Sequence, residues 1–342
     1  MPDTYSTDAL LGVVDGLKVA VPALLQRYFP VIEAQDTEFI NFDILSKTRR
    51  IAPFVHPLVA GKIVANAGYQ TKSFKPAYIK DKRQFNAYKS LQRAAGEPIG
   101  GNLSPQQRAD INMARAMADQ VDMINRRLEV MASEALRTGK VTVTGDEYPT
   151  VVVDFTRDAA LSPAALTGTD AWDDAASTPL DDIRLYSLTM LQKSGVAGSD
   201  VIMGTGAVSA FMAHASVKGR LDNRNITQNL MNSSAVFSEG LTPLGTIDGF
   251  GIWTYGGWYV DPADDTEKEI FPAKQIALAS PGIEGVQAFG AIQDPRAGFA
   301  AVPYFPSTWI DNDPPVQWLM MQSAPLTVPT RVNASLGATV LE

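Results

Sequence analysis

Residues 104–139 read SPQQRADINMARAMADQVDMINRRLEVMASEALRTG, and the way this stretch begins, repeats and stops decides the fold. Ser104, Pro105 and Gln107 make a capping box with proline at the first helical position. Apolar residues then fall at Met117, Val121, Ile124, Leu128, Met131 and Ala135, in alternating steps of four and three, until Gly139 stops the run. The pattern predicts a helix over 105–138, a rod of roughly 50 Å at 1.5 Å per residue. A compact globule of 342 residues has a radius of gyration of only about 20 Å. The rod crosses nearly all of it, so an elongated molecule is expected. The repeat has small and methionine positions and no ordered flanking charge pairs, which argues for a single spine helix packed on a sheet rather than a coiled coil.

Upstream of the rod the charge changes sign. Residues 62–93 hold eight basic side chains against Asp81, a net of +7, in a chain whose 29 basic and 37 acidic residues leave −8 overall and therefore −15 on the remainder. Within this arm KSFKPAYIK (72–80) alternates, with Phe74, Pro76 and Tyr78 on one face and Lys75, Ala77 and Ile79 on the other, as an exposed strand does. Folded as a hairpin, residues 62–93 would reach on the order of 50 Å. A lone two-stranded hairpin is marginal in water, so the arm needs a surface to lie on. A basic arm on an acidic body suits association between copies of one chain, sensitive to salt because screening acts beyond about 10 Å. Tyr69, Phe74, Tyr78, Phe85 and Tyr88 interleave with the lysines as base-stacking platforms would. The acidic body repels phosphate, and contact with a neighbouring copy is the stronger reading. Lys72, Lys75, Tyr78, Lys80, Lys82 and Arg83 are the candidate contact residues.

Length allows about two domains, each able to bury a core. The absence of cysteine excludes disulfides, cysteine-zinc sites and thiolate catalysis. The first residues carry acid where a secretory signal needs positive charge, and no apolar run approaches the roughly 18 residues of a membrane span, so a soluble cytoplasmic chain with no membrane contact is expected. Residues 8–29 read as an N-terminal arm with short helical pieces broken by Gly12, Gly16 and Pro22. FINFDIL and IAPFVHPLVA, within 38–60, suit edge strands punctuated by Pro53 and Pro57. VTVTGDEYPTVVVDF (141–155) is two strands around a turn, and 156–178 is loop-like. LDDIRLYSLTMLQKSG (180–195) reads as a helix with Leu185, Leu188 and Leu191 inward, DVIMG (200–204) as a buried strand, and GAVSAFMAHASVKGRL (206–221) as continuing helix. GIWTYGGWYVD (251–261) and KEIFPAKQIALAS (268–280) look like neighbouring strands joined by the acidic turn PADDTE. Helices and strands interleaved at this spacing make an α+β body.

Candidate chemistry is thin. Gly204-x-Gly206 follows a strand and opens a helix, as in dinucleotide binding, but Ser209 stands at the third position and no strand ending in an acid follows about 20 residues on. A glycine turn explains it better. His214 lies near Ser209 and Ser216 without a G-x-S-x-G elbow, and His56 sits between prolines, far too remote in sequence to argue for a shared zinc site. Asp261, Asp264, Asp265 and Glu267 lack the order of a dedicated calcium loop and read as a solvated hairpin tip. No catalytic, cofactor-binding or metal residue is assigned.

The C-terminal text carries a resemblance. I-Q-D at 292–294, Y-F-P-S-T-W at 304–309, D-P at 313–314 and M-Q-S-A-P-L at 321–326 resemble the major capsid protein E family of lambda-like tailed bacteriophages. So do V-A-G-K at 59–62, F-K-P-A-Y-I-K at 74–80, the long helix, V-T-V-T-G-D-E-Y with V-V-V-D, D-D-I at 181–183 and K-G-R-L-D at 218–222, in the family's order. The resemblance covers nearly the whole chain. It implies the Hong Kong 97 phage major capsid fold, with an N-terminal arm at 1–45, an extended loop at 59–98 holding the six contact residues, a spine helix at 104–139 and an axial domain at 176–280. Residues 46–58, 99–175 and 281–342 would then be the peripheral domain.

The same resemblance implies a structural protein without enzymatic activity. It would self-assemble into pentamers and hexamers of an icosahedral head, be assembled in the host cytoplasm and reside in the virion. Its partners would be itself, scaffold, portal and decoration proteins, and encapsidated double-stranded DNA without sequence-specific contact. A cytoplasmic α/β enzyme using the Gly204 turn, and a cellular nanocompartment shell, are the competing expectations.

Overall fold

The computed structural model describes residues 7–17, 22–46, 51–52, 54–58, 60, 68–86, 103–145, 148–222, 240–313 and 315–342. Two short helices, α1 (Thr7–Gly16) and α2 (Ala23–Tyr28), precede the rod, which is one helix, α3 (Pro105–Thr138). Its start folds as the sequence dictates: Ser104 Oγ accepts from the Gln107 N–H at 3.2 Å, and the Gln107 side chain accepts from the Ser104 N–H at 2.9 Å. All six periodic apolar residues are buried. Gly139 ends the helix at φ 67°. Beyond it, Arg157 donates to the carbonyls of Leu136 (2.9 Å) and Arg137 (2.5 Å), placing a cation where a helix leaves carbonyls unpaired.

Two cores share this frame. Around α3 pack a three-stranded sheet of β1 (Val31–Gln35), β13 (Gly285–Gly290) and β16 (Pro325–Pro329) and another of β14 (Phe305–Asn312), β15 (Pro315–Ser323) and β4 (Ile79–Asn86). The second core lies against a five-stranded sheet in the order β17 (Ser335–Thr339), β12 (Gln275–Ala279), β7 (Asp200–Met203), β9 (Phe250–Tyr255), β8 (Leu241–Ile247). Helices α4 (Pro179–Ser194), α5 (Thr205–Ala213) and α6 (Ala215–Asp222) accompany it. Three two-stranded ribbons complete the described strands: β2 (Ile40–Ser46) with β3 (Gly68–Phe74), β5 (Lys140–Gly145) with β6 (Tyr148–Asp154), and β10 (Trp258–Val260) with β11 (Glu267–Glu269). The last two are the hairpins expected at VTVTGDEYPTVVVDF and around PADDTE.

Several expectations are corrected. The basic arm is not a hairpin of its own. β3 pairs with β2, from Ile40 opposite Phe74 to Ser46 opposite Gly68, whereas β4 pairs with β15 from the far end of the chain. Pro76 sits buried between them, with a γ-carbon 2.6 Å from where a Cβ on Gly290 would stand, so the chain turns there toward a different sheet. In α4 the buried face is Leu180, Ile183, Tyr186 and Met190, and Leu185 and Leu188 point outward. Both stripes are apolar, and the sheet takes the one carrying the aromatic ring.

GIWTY and QIALA are in one sheet but not adjacent, because DVIM lies between them. Helix 206–221 breaks at His214, which takes extended backbone angles. The described residues of IAPFVHPLVA form no strand. Past residue 22 the N-terminal arm joins the core: Leu24, Leu25, Tyr28 and Phe29 are buried.

Candidate functional site

The six candidate contact residues fall into three settings rather than one patch. Lys72 lies on β3 and donates through Nζ to the Asp154 carbonyl at 2.6 Å. Lys75, just past that strand, pairs with Glu38 at 2.6 Å, both side chains about half exposed. An exposed pair of this kind is worth about 0–1 kcal/mol. Tyr78 accepts the Gln293 N–H through its hydroxyl, and its burial pushes the phenol up.

On β4 the alternation of a strand separates the rest. Lys80 and Lys82 share the outer face, with Lys82 Nζ 3.8 Å from the Trp318 ring, which stacks on Trp309, and Lys80 Nζ 5.0 Å from the Tyr78 ring. Arg83 points to the other face and reaches α3. There it pairs with Asp119 at 2.6 Å and with Asp81 at 3.0 Å. Burial works against its charge, but the two carboxylates more than offset that and hold the guanidinium above its ordinary value.

The residues that sequence reasoning missed lie between β2 and β3. Ile51, Phe54 and Leu58 are 92%, 104% and 90% exposed, and Val55 is also exposed. Near Ile40 and Phe74 the ribbon is anchored: Ile40 is fully buried and Phe42 meets Phe155 edge-on at 5.6 Å. From Ile40 the pairing continues to Ser46 opposite Gly68, about 20 Å at 3.3 Å per residue. Four large apolar side chains bared within residues 51–58 exceed what scattered surface hydrophobics explain, and such clusters mark contact sites. The available signal was their composition: apolar residues set among Pro53 and Pro57 with neither a helical nor a strand period.

The enzymatic candidates are occupied by the chain itself. A Cβ on Gly204 would stand 2.1 Å from the Pro272 carbonyl oxygen, and one on Gly206 3.1 Å from that of Ala273. Those glycines admit a neighbouring backbone where a dinucleotide would have to sit. His214 Nδ1 lies 2.7 Å from Ser216 Oγ, and Ser209 donates to the Thr205 carbonyl, so this serine and histidine are not joined. Exposed His56 accepts a local Leu58 N–H at Nδ1. At the acidic turn Lys268 Nζ stands 2.6 Å from Asp261 and 3.0 Å from Asp264, where a calcium ion would have to be. Hydrogen bonds from Thr266 and Lys268 bring the Asp264 carboxyl down to about 2. Among the described residues no group of three or more metal-ligating side chains occurs.

The family described as phage major capsid protein E matches residues 6–340. The major capsid protein of Escherichia phage lambda is 27% identical over 330 residues, covering 94% of this chain and 95% of its own, and that of Escherichia phage N15 matches equally. A crystal structure described as a prophage capsid protein from E. coli CFT073 superposes with a TM-score of 0.74 at 21% identity, covering 98% of this chain and 99% of its own. The capsid of Ralstonia phage GP4 gives 0.53 at 12% identity, covering 95% and 93%.

Proposed function

Because the chain belongs to the phage major capsid protein E family and is a structural, non-enzymatic subunit of a capsid shell, we propose that it builds the pentamers and hexamers of an icosahedral head through the ribbon of β2 and β3. The α+β architecture is the Hong Kong 97 phage capsid fold, and the chain self-assembles as part of a virion shell. On our reading residues 59–98, which include β3 of the ribbon, are the extended loop, α3 is the spine helix, and 176–280, with most of the five-stranded sheet, is the axial domain. The peripheral domain comprises the two three-stranded sheets.

The bared side chains of Ile51, Phe54 and Leu58 carry this proposal. A two-stranded ribbon ending in exposed apolar residues gains stability only when another surface covers it, and in a closed shell many such modest contacts add up under symmetry. Lys72 and Lys75 on the same element would steer it toward an acidic neighbour. Lys80, Lys82 and Tyr78 would contribute from the adjoining sheet face, and Arg83 would fix that sheet to α3. Scaffold, portal and decoration proteins are the further partners proposed, with double-stranded DNA enclosed without base-specific contact and assembly taking place in the host cytoplasm.

The test is a pair of aspartate substitutions, Phe54→Asp and Leu58→Asp. The expected result is a folded chain that elutes at low mass while the parent forms shells visible by negative-stain microscopy. Shells of normal yield from both variants would overturn the role given to the ribbon. Nucleic acid rather than protein cargo inside shells recovered from infected cells separates the head reading from a nanocompartment.

A further inference from the structure

Helix α2 is gripped at both ends by carboxylates that belong to different layers. Pro22, which precedes it, supplies no side-chain cap. Its first amides go to Glu129 on the spine helix instead: the Leu24 N–H donates to Oε1 at 2.8 Å and the Leu25 N–H to Oε2 at 3.1 Å. Tyr255 on β9 donates its hydroxyl to the same Oε1 at 2.9 Å. At the other end Arg27 Nε and the Tyr28 hydroxyl donate to Asp200 Oδ2, at 2.8 Å and 2.9 Å. Asp200 is the first residue of β7. Six residues of helix therefore tie the long helix to the five-stranded sheet.

The two grips differ in charge. Asp200 meets the Arg27 guanidinium at 2.8 Å. Glu129 is 1% exposed, and among the described residues no cation is paired with it. The groups facing it are the two α2 amides and the Tyr255 phenol. Arg27 and Tyr28 of α2 turn to Asp200, and Arg126 on Glu129's own helix is committed to Asp122. A buried carboxylate without a cation is costly, and one answer is to take up a proton.

We propose that α2 is a releasable clasp between the spine helix and the five-stranded sheet, closed when Glu129 binds a proton and loosened when it ionises. Closing takes one proton from solvent. The protonated oxygen then donates to the Tyr255 hydroxyl while the carboxyl oxygens still accept the amides. Burial pushes the Glu129 carboxyl up to about 7, partly opposed by the hydrogen bonds from Leu24, Tyr255 and Leu25. The ordinary value is 4.5. The favourable contribution to docking is therefore complete below about 4.5 and is lost as the pH rises through about 7. This goes beyond the role as a shell subunit and does not depend on it.

The test is hydrogen exchange read by mass spectrometry on the full, unassembled chain between pH 5 and 8, corrected for the intrinsic pH dependence of exchange. Protection of residues 22–30 is expected to fall on the order of a hundredfold across that range, while the strand at 276–279 holds level. The Glu129→Gln variant should show a flat profile. A flat profile in the parent, or an unchanged fall in Glu129→Gln, would overturn the clasp and leave the capsid assignment standing. Should Glu129→Gln fail to fold, Tyr255→Phe decides: it keeps the carboxyl but removes a donor that favours ionisation, so the midpoint moves to higher pH, and an unmoved midpoint overturns the proposal.

Discussion

The spine helix and the ribbon of β2 and β3 are both long, narrow elements, yet they meet their physical demands in opposite ways. Helix α3 finds everything it needs within its own chain: a reciprocal cap at Ser104, a buried apolar stripe, and the Arg157 guanidinium on its last carbonyls. The ribbon is anchored near Ile40 and Phe74, and the connection between its strands presents Ile51, Phe54 and Leu58 to water. One is a frame, the other a limb that needs a second body. The difference teaches that stability and assembly are written in separate residues, and substitutions should separate them.

The largest effect is expected at Leu128, fully buried on α3. Leu128→Ala should cost about 2–5 kcal/mol in denaturant unfolding, enough to endanger a typical domain. A cost no greater than that of a surface change would erase the contrast. Gly204→Ala follows, because its new methyl meets backbone and not a flexible side chain; about 1–3 kcal/mol is expected from overpacking, again by denaturant titration. Ser104→Ala removes half of the capping box and should cost about 1 kcal/mol, read as a shift in the unfolding midpoint at unchanged slope. Lys75→Ala should change unfolding stability least, by no more than about 1 kcal/mol. It should nonetheless make shell assembly less dependent on salt, as light scattering at several ionic strengths would show. If Lys75→Ala left that salt dependence intact, the steering role of the ribbon would go, although its apolar tip would not.

What the sequence disclosed tracks how local the cause is. The helix at 105–138 was legible because its cap, period and stop lie within a single stretch, and the hairpins at 140–154 and 258–269 because the two strands of each are neighbours in sequence. The insertion of DVIM between GIWTY and QIALA was not, nor was the pairing of β4 with β15, since no feature of either segment names a partner so distant in the chain. α4 shows a second limit. Leu185 and Tyr186 lie on opposing stripes that are both apolar, and only the sheet beneath decides which is covered. For the candidate site, the charge and alternation of the basic arm point to six residues, and the structure distributes them over a ribbon and the two faces of a sheet. The more telling residues are apolar and read as strand in the sequence, because a hydrophobic side chain in isolation gives no sign that its own chain will leave it bare.

Strand β17 runs along the outer edge of the five-stranded sheet, and Gly337 within it passes so near the last turn of α3 that a Cβ there would stand 1.9 Å from the Arg137 carbonyl oxygen. Residues 335–339 leave the ribosome after every other strand of that sheet. Until they arrive, β12 keeps an open edge and the rod's last turn lacks its cover, so prematurely terminated products would be left unfinished and prone to stick to one another. Closure of the five-stranded sheet therefore waits on the last of its strands to be synthesised.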